Sequence, residues 1–182
     1  MDAARQEFAQ ASELAPGEPA IWANLGLAYL RLGDFDAAAP AVERARDLAP
    51  TSSQVAFLAG RLETSRGRRD EGIASLRRAM ELDPRGLQVR TALIQEVENA
   101  GGPDADAEAQ RLLEELFALQ PDNAAVLVER ARLAAKRGDI TLLQDSVARL
   151  GAFVDAWPPE AVERYRALEQ ASQAANAPDA AR

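Results

Sequence analysis

The chain has 182 residues and a formal net charge of −8, and it contains neither cysteine nor histidine. The acidic balance argues against general binding to nucleic acid or to anionic membranes. The two missing residue types exclude disulfides, cysteine–histidine zinc sites and the catalytic dyads and triads that need them. The sequence has no apolar run of about 18 residues, so we predict no membrane insertion. We expect a soluble protein of unknown compartment, cytoplasmic, or periplasmic if it belongs to a longer exported protein.

Prolines recur along the chain at a nearly constant interval. Pro16, Pro50 and Pro84 are 34 residues apart, and Pro121 follows after 37. Each proline ends the same spaced pattern of small and apolar residues. A period of this length is typical of one supersecondary unit that is stacked repeatedly.

The first complete unit begins at Pro19 and predicts two helices. Its first helix carries one apolar stripe, made by Trp22, Leu25, Gly26 and Tyr29. Its second helix carries a stripe of small and apolar residues, made by Ala38, Val42 and Ala45. The unit is therefore predicted to be an antiparallel helix pair.

Three residues mark where these two helices end and begin. Gly33 can adopt the left-handed conformation that ends a helix, and Asp34 can cap the helix that follows. Pro50 stops the second helix, because proline lacks the backbone N–H that a helix interior needs.

The residues of this unit resemble the tetratricopeptide repeat. The resemblance rests on eight spaced positions and on their recurrence, most clearly on Trp22, Leu25, Gly26, Tyr29, Ala38, Ala45 and Pro50. It implies an all-α fold, a right-handed α-solenoid of antiparallel helix pairs that ends in a C-terminal capping helix.

We predict a single solenoid over residues 1–175. Its parts are a half-repeat at 2–16, repeats at 19–52, 53–86, 87–123 and 124–157, a capping helix at 159–174 and a flexible tail at 176–182. The capping helix is expected to bury a stripe made by Val162, Tyr165, Leu168 and Ala171. Because the chain begins in the middle of a repeat, we expect it to be part of a longer protein.

The resemblance also implies that the first helix of each unit lines a concave groove. Positions 2, 6, 9 and 13 of each unit would face it, which gives as candidate binding residues Asn24, Leu27, Arg31, Leu58, Arg61, Gln88, Gln95, Glu129, Arg132 and Lys136. Four of these are basic and one is acidic. We predict a non-catalytic protein–protein interaction scaffold whose groove binds a peptide segment of a partner protein, acidic in part. The alternative for these residues is a solvated surface that happens to be basic.

A second function remains open, namely assembly through exposed ends of the solenoid. Residues 2–15 would form a helix without its partner, and Phe8 on its apolar face could support a homo-oligomer. Catalysis is the least favoured function, because the sequence offers no assignable acid–base pair and no phosphate-binding loop. No cofactor is predicted. Asp104, Asp106 and Glu108 fit either a metal site or, as we favour, the acidic first turn of a helix.

Two further features are charged. Arg130 occupies a position where the repeat usually buries leucine, so it must pair with a carboxylate, extend to the surface, or bind an anion in the groove. A basic cluster lies in and around the second half of the repeat at 53–86 and is predicted to be a solvated face outside the groove. It consists of Arg66, Arg68, Arg69, Arg77, Arg78 and Arg85.

A narrower resemblance involves two segments near the C-terminal end. Residues 132–139 and 157–161 are similar to the repeat regions attached to bacterial ASPIC/UnbV-type propeller proteins. That resemblance implies a bacterial, exported multidomain protein.

Overall fold

The computed structural model describes Gln10 and residues 15–174 of the chain. The predicted tail at 176–182 lies outside these residues. So do nearly all of the predicted half-repeat at 2–16 and the end helix proposed for self-association.

Residues 15–174 contain nine α-helices, one 3₁₀-helix and no β-strand. The helices are α1 (Pro19–Leu32), α2 (Phe35–Leu48), α3 (Ser53–Ser65), α4 (Arg69–Leu82), α5 (Leu87–Ala100), α6 (Pro103–Leu119), α7 (Ala124–Arg137), α8 (Ile140–Leu150) and α9 (Pro159–Ala174), with the 3₁₀-helix Gly151–Ala156 before α9.

The chain divides into two compact units, Met1–Asp106 and Ala107–Arg182. In the first unit α1 packs against α2, α2 against α3, α3 against α4 and α4 against α5, and α1 also contacts α3. In the second unit α7 packs against α8, which in turn contacts the 3₁₀-helix and α9. The single solenoid over residues 1–175, with its repeat boundaries, stays a prediction.

The predicted turn between α1 and α2 is confirmed. Gly33 has φ +75°, and its N–H donates to the carbonyl of Leu30 at 3.2 Å. The carboxylate of Asp34 accepts a hydrogen bond from the N–H of Ala37 at 3.1 Å, so it caps α2. The second unit repeats this arrangement between α7 and α8, where Gly138 has φ +72° and Asp139 accepts from the N–H of Leu142 at 3.0 Å.

The core of the first unit consists of the inward-facing residues of α1, α2 and α3. One buried cluster contains Ala23, Leu30, Ala38, Val42, Ala45, Val55, Leu58, Ala59 and Leu62. Trp22 and Tyr29 are partly buried and pack against this cluster. The indole N–H of Trp22 is satisfied by the carbonyl of Pro16 at 3.0 Å, so the ring can lie at the edge of the core without an unpaired donor.

Glycines allow close approach of paired helices in this unit. A Cβ at Gly60 would lie 2.7 Å from Cγ of Leu76 and 3.1 Å from the carbonyl oxygen of Gly72, and one at Gly26 would lie 2.7 Å from Cγ2 of Val42. These separations are shorter than van der Waals contact between carbon atoms. The paired helices therefore touch where α1 and α3 each lack a side chain, and Leu76 of α4 is only 1% exposed there.

The C-terminal helix α9 matches the predicted bounds, but its buried face differs from the predicted apolar stripe. Tyr165 is buried, as expected, whereas Leu168 is 37% exposed. Glu169 and Ser172 take part in the buried face instead. The hydroxyl of Tyr165 donates to the carbonyl of Val147 at 3.2 Å and lies 3.1 Å from Oε1 of Glu169. The hydrogen bond to Tyr165 explains why Glu169, a polar residue, lies on the buried face of α9.

We expect the substitutions Gly60→Ala and Leu76→Ala to be energetically coupled. Leu76→Ala alone should lower the free energy of unfolding by about 2–5 kcal/mol, because it removes a buried side chain. In the wild type Gly60→Ala meets Leu76 and costs about 1–3 kcal/mol of overpacking, offset in part by helix propensity of about 1 kcal/mol. In the Leu76→Ala background that clash is relieved, and Gly60→Ala should cost less.

The measurement is a double-mutant cycle from urea unfolding followed by circular dichroism. A coupling of about 1 kcal/mol or more is expected for two residues in contact. Effects that simply add would show that Gly60 and Leu76 do not limit the approach of α3 and α4.

Candidate functional site

The first unit carries a groove that is bordered by α3 and α5 and has Leu76 of α4 at its base. We call it the α3–α5 groove; its volume is about 530 Å³. It is lined by Phe57, Arg61, Thr64, Ser65, Leu76, Gln88, Thr91, Ala92, Gln95 and Glu96.

The lining residues combine an apolar base with polar walls. Phe57 and Leu76 are buried and expose only small apolar areas to the groove, and Ala92 is half-buried. Hydroxyl groups and side-chain amides surround this base, from Thr64, Ser65, Gln88, Thr91 and Gln95. Such a surface can take an apolar side chain at its base and hydrogen-bond to polar groups beside it.

The groove contains one cation, Arg61. Its guanidinium carbon lies 6.0 Å from the centroid of the Phe57 ring, which is at the limit of a cation–π contact. No carboxylate of the described residues pairs with this exposed guanidinium. The five N–H donors of Arg61 are therefore available to a ligand in the groove.

The groove also contains one carboxylate, Glu96. Its side chain is 23% exposed, and the nearest cation is Arg69, whose Nε lies 3.8 Å from Oε2 of Glu96. That distance is longer than a hydrogen bond.

The structure brings together three of the predicted groove residues, Arg61, Gln88 and Gln95. Leu58 was predicted beside them, but it is 2% exposed and belongs to the core cluster of this unit. Leu58 is not among the residues that line the α3–α5 groove.

The predicted residues of α1 lie apart from the α3–α5 groove. Asn24 and Leu27 are half-buried, and Leu27 packs against the core cluster. Arg31 is exposed in the last turn of α1.

Sequence reasoning missed five lining residues, Phe57, Thr64, Leu76, Thr91 and Glu96. The prediction used positions 2, 6, 9 and 13 of each unit, whereas position 5 supplies Phe57 and Thr91. Neighbouring positions on a helix are rotated by about 100°, so a shift of one position exchanges a core residue for a lining residue. The polar Thr91 at the same position as Phe57 was a signal that this position is not purely core.

In the second unit the predicted residues Glu129, Arg132 and Lys136 all lie on α7. Nε of Arg132 donates to Oε2 of Glu129 at 2.8 Å. Arg132 and Lys136 are exposed and Glu129 is half-buried. Here the acidic and basic residues partly neutralise each other within one helix.

The second unit has a smaller groove of its own, of about 390 Å³, between the 3₁₀-helix and α9. It is lined by Val154, Asp155, Trp157, Pro159, Val162, Glu163 and Arg166. The rings of Trp157 and Tyr165 pack edge to face at 5.9 Å, which fixes the Trp157 wall of this groove.

Arg130 is buried and pairs with carboxylates, which is the first of the roles that the sequence predicted for it. It is 6% exposed. Its Nε donates to Oε1 of Glu114 at 2.9 Å, and its Nη1 donates to Asp145 and to the hydroxyl of Ser146. The guanidinium also stacks 4.3 Å from the centroid of the Phe117 ring. Arg130 therefore stabilises the interior of the second unit.

These contacts shift the pKa values of the ion pair in the direction that stabilises both charges. Burial lowers the pKa of the Arg130 guanidinium, but hydrogen bonds to Glu114 and Asp145 outweigh it, and the pKa lies above its usual value. The hydrogen bond from Arg130 lowers the pKa of the Asp145 carboxyl, and Arg149 adds to this effect.

The basic cluster is largely paired. Arg66 contacts Asp36 at 2.9 Å, Arg78 contacts Glu81 at 3.0 Å, and Arg68 contacts Glu63. These exposed ion pairs agree with a solvated surface.

Over residues 15–174, every helix is too short or too polar to cross a membrane. The same residues provide no group of three or more acidic side chains placed to hold a metal ion. Asp104 and Asp106 lie in the first turn of α6, where negative charge is favoured by the helix dipole.

We expect Asp145 to make the stability of the protein depend on pH under acidic conditions. Its pKa is lowered in the folded state, so its contribution is present above the unfolded value of about 3.9 and is lost as pH falls through the folded value. The difference in free energy of unfolding between the wild type and Asp145→Asn should therefore be largest above about pH 4 and shrink below it. Urea unfolding at a series of pH values measures this difference; a difference that is constant down to the acid limit would contradict the assignment.

Comparison with known proteins supports the repeat assignment. The sequence profile of the family described as "Tetratricopeptide repeat" matches residues 1–53 and 23–86. A comparison with curated protein sequences gave no match.

Solved structures show the same fold at low sequence identity. MamA is 16% identical over 95% of this chain and 91% of its own, with a TM-score of 0.65. YrrB, described as a TPR protein with an unusual peptide-binding site, is 15% identical over 91% of this chain and 82% of its own, with a TM-score of 0.65. TTC0263, a thermophilic TPR protein in Thermus thermophilus, is 17% identical over 92% of this chain and 89% of its own, with a TM-score of 0.66.

At these identities the likeness concerns the fold alone. Together with the helix pairs and their Gly-Asp turns, it confirms the predicted all-α tetratricopeptide fold. The family profile matches the chain between residues 1 and 86, and the chain shares the fold of the tetratricopeptide repeat proteins YrrB and TTC0263.

Proposed function

We propose that this protein is a non-catalytic interaction scaffold whose α3–α5 groove binds a peptide segment of a partner protein through a carboxylate of that segment. Helical-repeat folds are typical of protein-interaction scaffolds, because stacked repeats form extended binding surfaces. The observation that carries the proposal is the exposed Arg61, which has a Phe57 ring beside it and no carboxylate partner among the described residues.

The chemistry of the groove suits a peptide. The side-chain amides of Gln88 and Gln95 can each donate to and accept from a peptide backbone. Arg61 can form a charge-assisted, bidentate pair with an acidic side chain, which is stronger than a neutral hydrogen bond. The apolar base at Phe57 and Leu76 leaves room for one apolar side chain of the same segment.

One comparison also supports peptide binding. YrrB shares this fold and is described as having a peptide-binding site. Peptide binding by a groove on the same fold therefore has a precedent, and the residues that would bind in this chain are those argued above.

A catalytic function is not favoured by the lining of the groove. Glu96 is the single carboxylate among its lining residues. General acid–base catalysis would need a second group that can exchange protons at a suitable pH.

We expect Arg61→Gln to weaken binding of acidic peptides by about threefold to tenfold, the size of one well-formed charge-assisted contact. The probe is a set of fluorescently labelled synthetic peptides in which a central leucine has glutamate or glutamine on one side only, and binding is measured by fluorescence polarisation. Binding of the glutamate peptides should also weaken as salt is raised, because the pair is partly exposed.

The matched control is Arg46→Gln, which makes the same charge change at an exposed position of α2 away from the groove. It should leave the affinity nearly unchanged. Equal losses in both variants would mean that only net charge matters, and absence of binding by every peptide to the folded wild type would refute the proposed function.

A further inference from the structure

The α3–α5 groove holds two opposite charges, Arg61 and Glu96. Within the described residues, neither is hydrogen-bonded to a side chain of opposite charge. Arg61 has no carboxylate partner within the described residues. Glu96 is more than three-quarters covered, yet its nearest cation, Arg69, is 3.8 Å away. Partial cover weakens the solvent screening of this carboxylate, and its nearest cation lies beyond hydrogen-bonding distance. A hydrogen-bond donor on a ligand would therefore gain more binding free energy at Glu96 than at a freely hydrated carboxylate.

A purely acidic ligand does not explain this arrangement. A carboxylate that enters the groove to meet Arg61 shares the groove with Glu96, and like charges in a partly covered groove repel each other. A ligand that places a positive charge near Glu96 avoids this cost and gains attraction at both ends.

We propose that the groove selects a bipolar peptide segment, in which an acidic and a basic side chain flank an apolar one. The acidic side chain pairs with Arg61, the apolar side chain rests on Phe57 and Leu76, and the basic side chain pairs with Glu96. This inference rests on the proposed function and adds the charge pattern of the partner. Glu96 acts in it as a specificity residue, because it rejects doubly acidic segments as well as attracting bipolar ones.

The experiment compares three sets of labelled synthetic peptides by fluorescence polarisation. All share a central leucine and one glutamate, and the flanking position on the other side carries lysine, glutamine or a second glutamate at varied spacing. The proteins are the full chain as wild type, Glu96→Gln and Glu96→Arg. The matched control is Glu81→Gln, which removes a carboxylate of an exposed ion pair on α4 outside the groove. Thermal unfolding of each variant shows that it is folded.

The wild type should bind the best lysine peptide about threefold to tenfold more tightly than its glutamine counterpart, and the doubly acidic peptide least tightly. Glu96→Gln should abolish the preference for lysine, whereas Glu81→Gln should keep it. Glu96→Arg should reverse the order and favour the doubly acidic peptide.

Two results would overturn the inference in distinguishable ways. If the wild type binds lysine and glutamine peptides equally while Arg61→Gln still weakens both, the bipolar pattern is wrong and the proposed function stands. If the folded wild type binds none of the three sets, the proposed function fails and the inference fails with it.

Discussion

Close approach of paired helices is the constraint on which the rest of this structure depends. The helices of the first unit have 13 or 14 residues, a length at which an isolated helix is only marginally stable in water. Their stability must therefore come from burial of their apolar faces against neighbours. The absence of a side chain at Gly26 and at Gly60 lets Val42 and Leu76 fill the space between the paired helices.

The same packing creates the α3–α5 groove. Leu76 is fixed on α4 by its contact with Gly60, and it supplies the base above which the lining residues of α3 and α5 converge. Phe57 is held on one side by the core and lies beside Arg61 on the other. The residues proposed to bind and the residues that stabilise are thus adjacent on one helix, and a change in the packing of α3 against α4 alters both.

Local signals made much of the fold predictable, while the site depended on tertiary contacts. Gly33, Asp34 and Pro50 act within one turn of chain, so their roles could be deduced from residue type and spacing alone. Phe57 lines the groove where Leu58 was predicted, because the lining depends on how α3 is rotated about its axis. The repeat pattern fixes that rotation only to within one residue position. Glu96 carried no sequence signal, because its significance comes from the distance to Arg69 and from partial burial.

Arg61 and Arg130 each have a phenylalanine ring nearby, and the difference between their other contacts favours a ligand at Arg61. Arg130 lies over Phe117 and has Glu114 and Asp145 as partners, so its charge is compensated inside the second unit. Arg61 lies beside Phe57 with an aromatic neighbour but without the carboxylates, and it borders a groove instead of a core. A guanidinium gains most from an acceptor that arrives already oriented, because its planar donors are fixed in direction. A carboxylate bound at Arg61 would complete the set of contacts that Arg130 makes within its own unit.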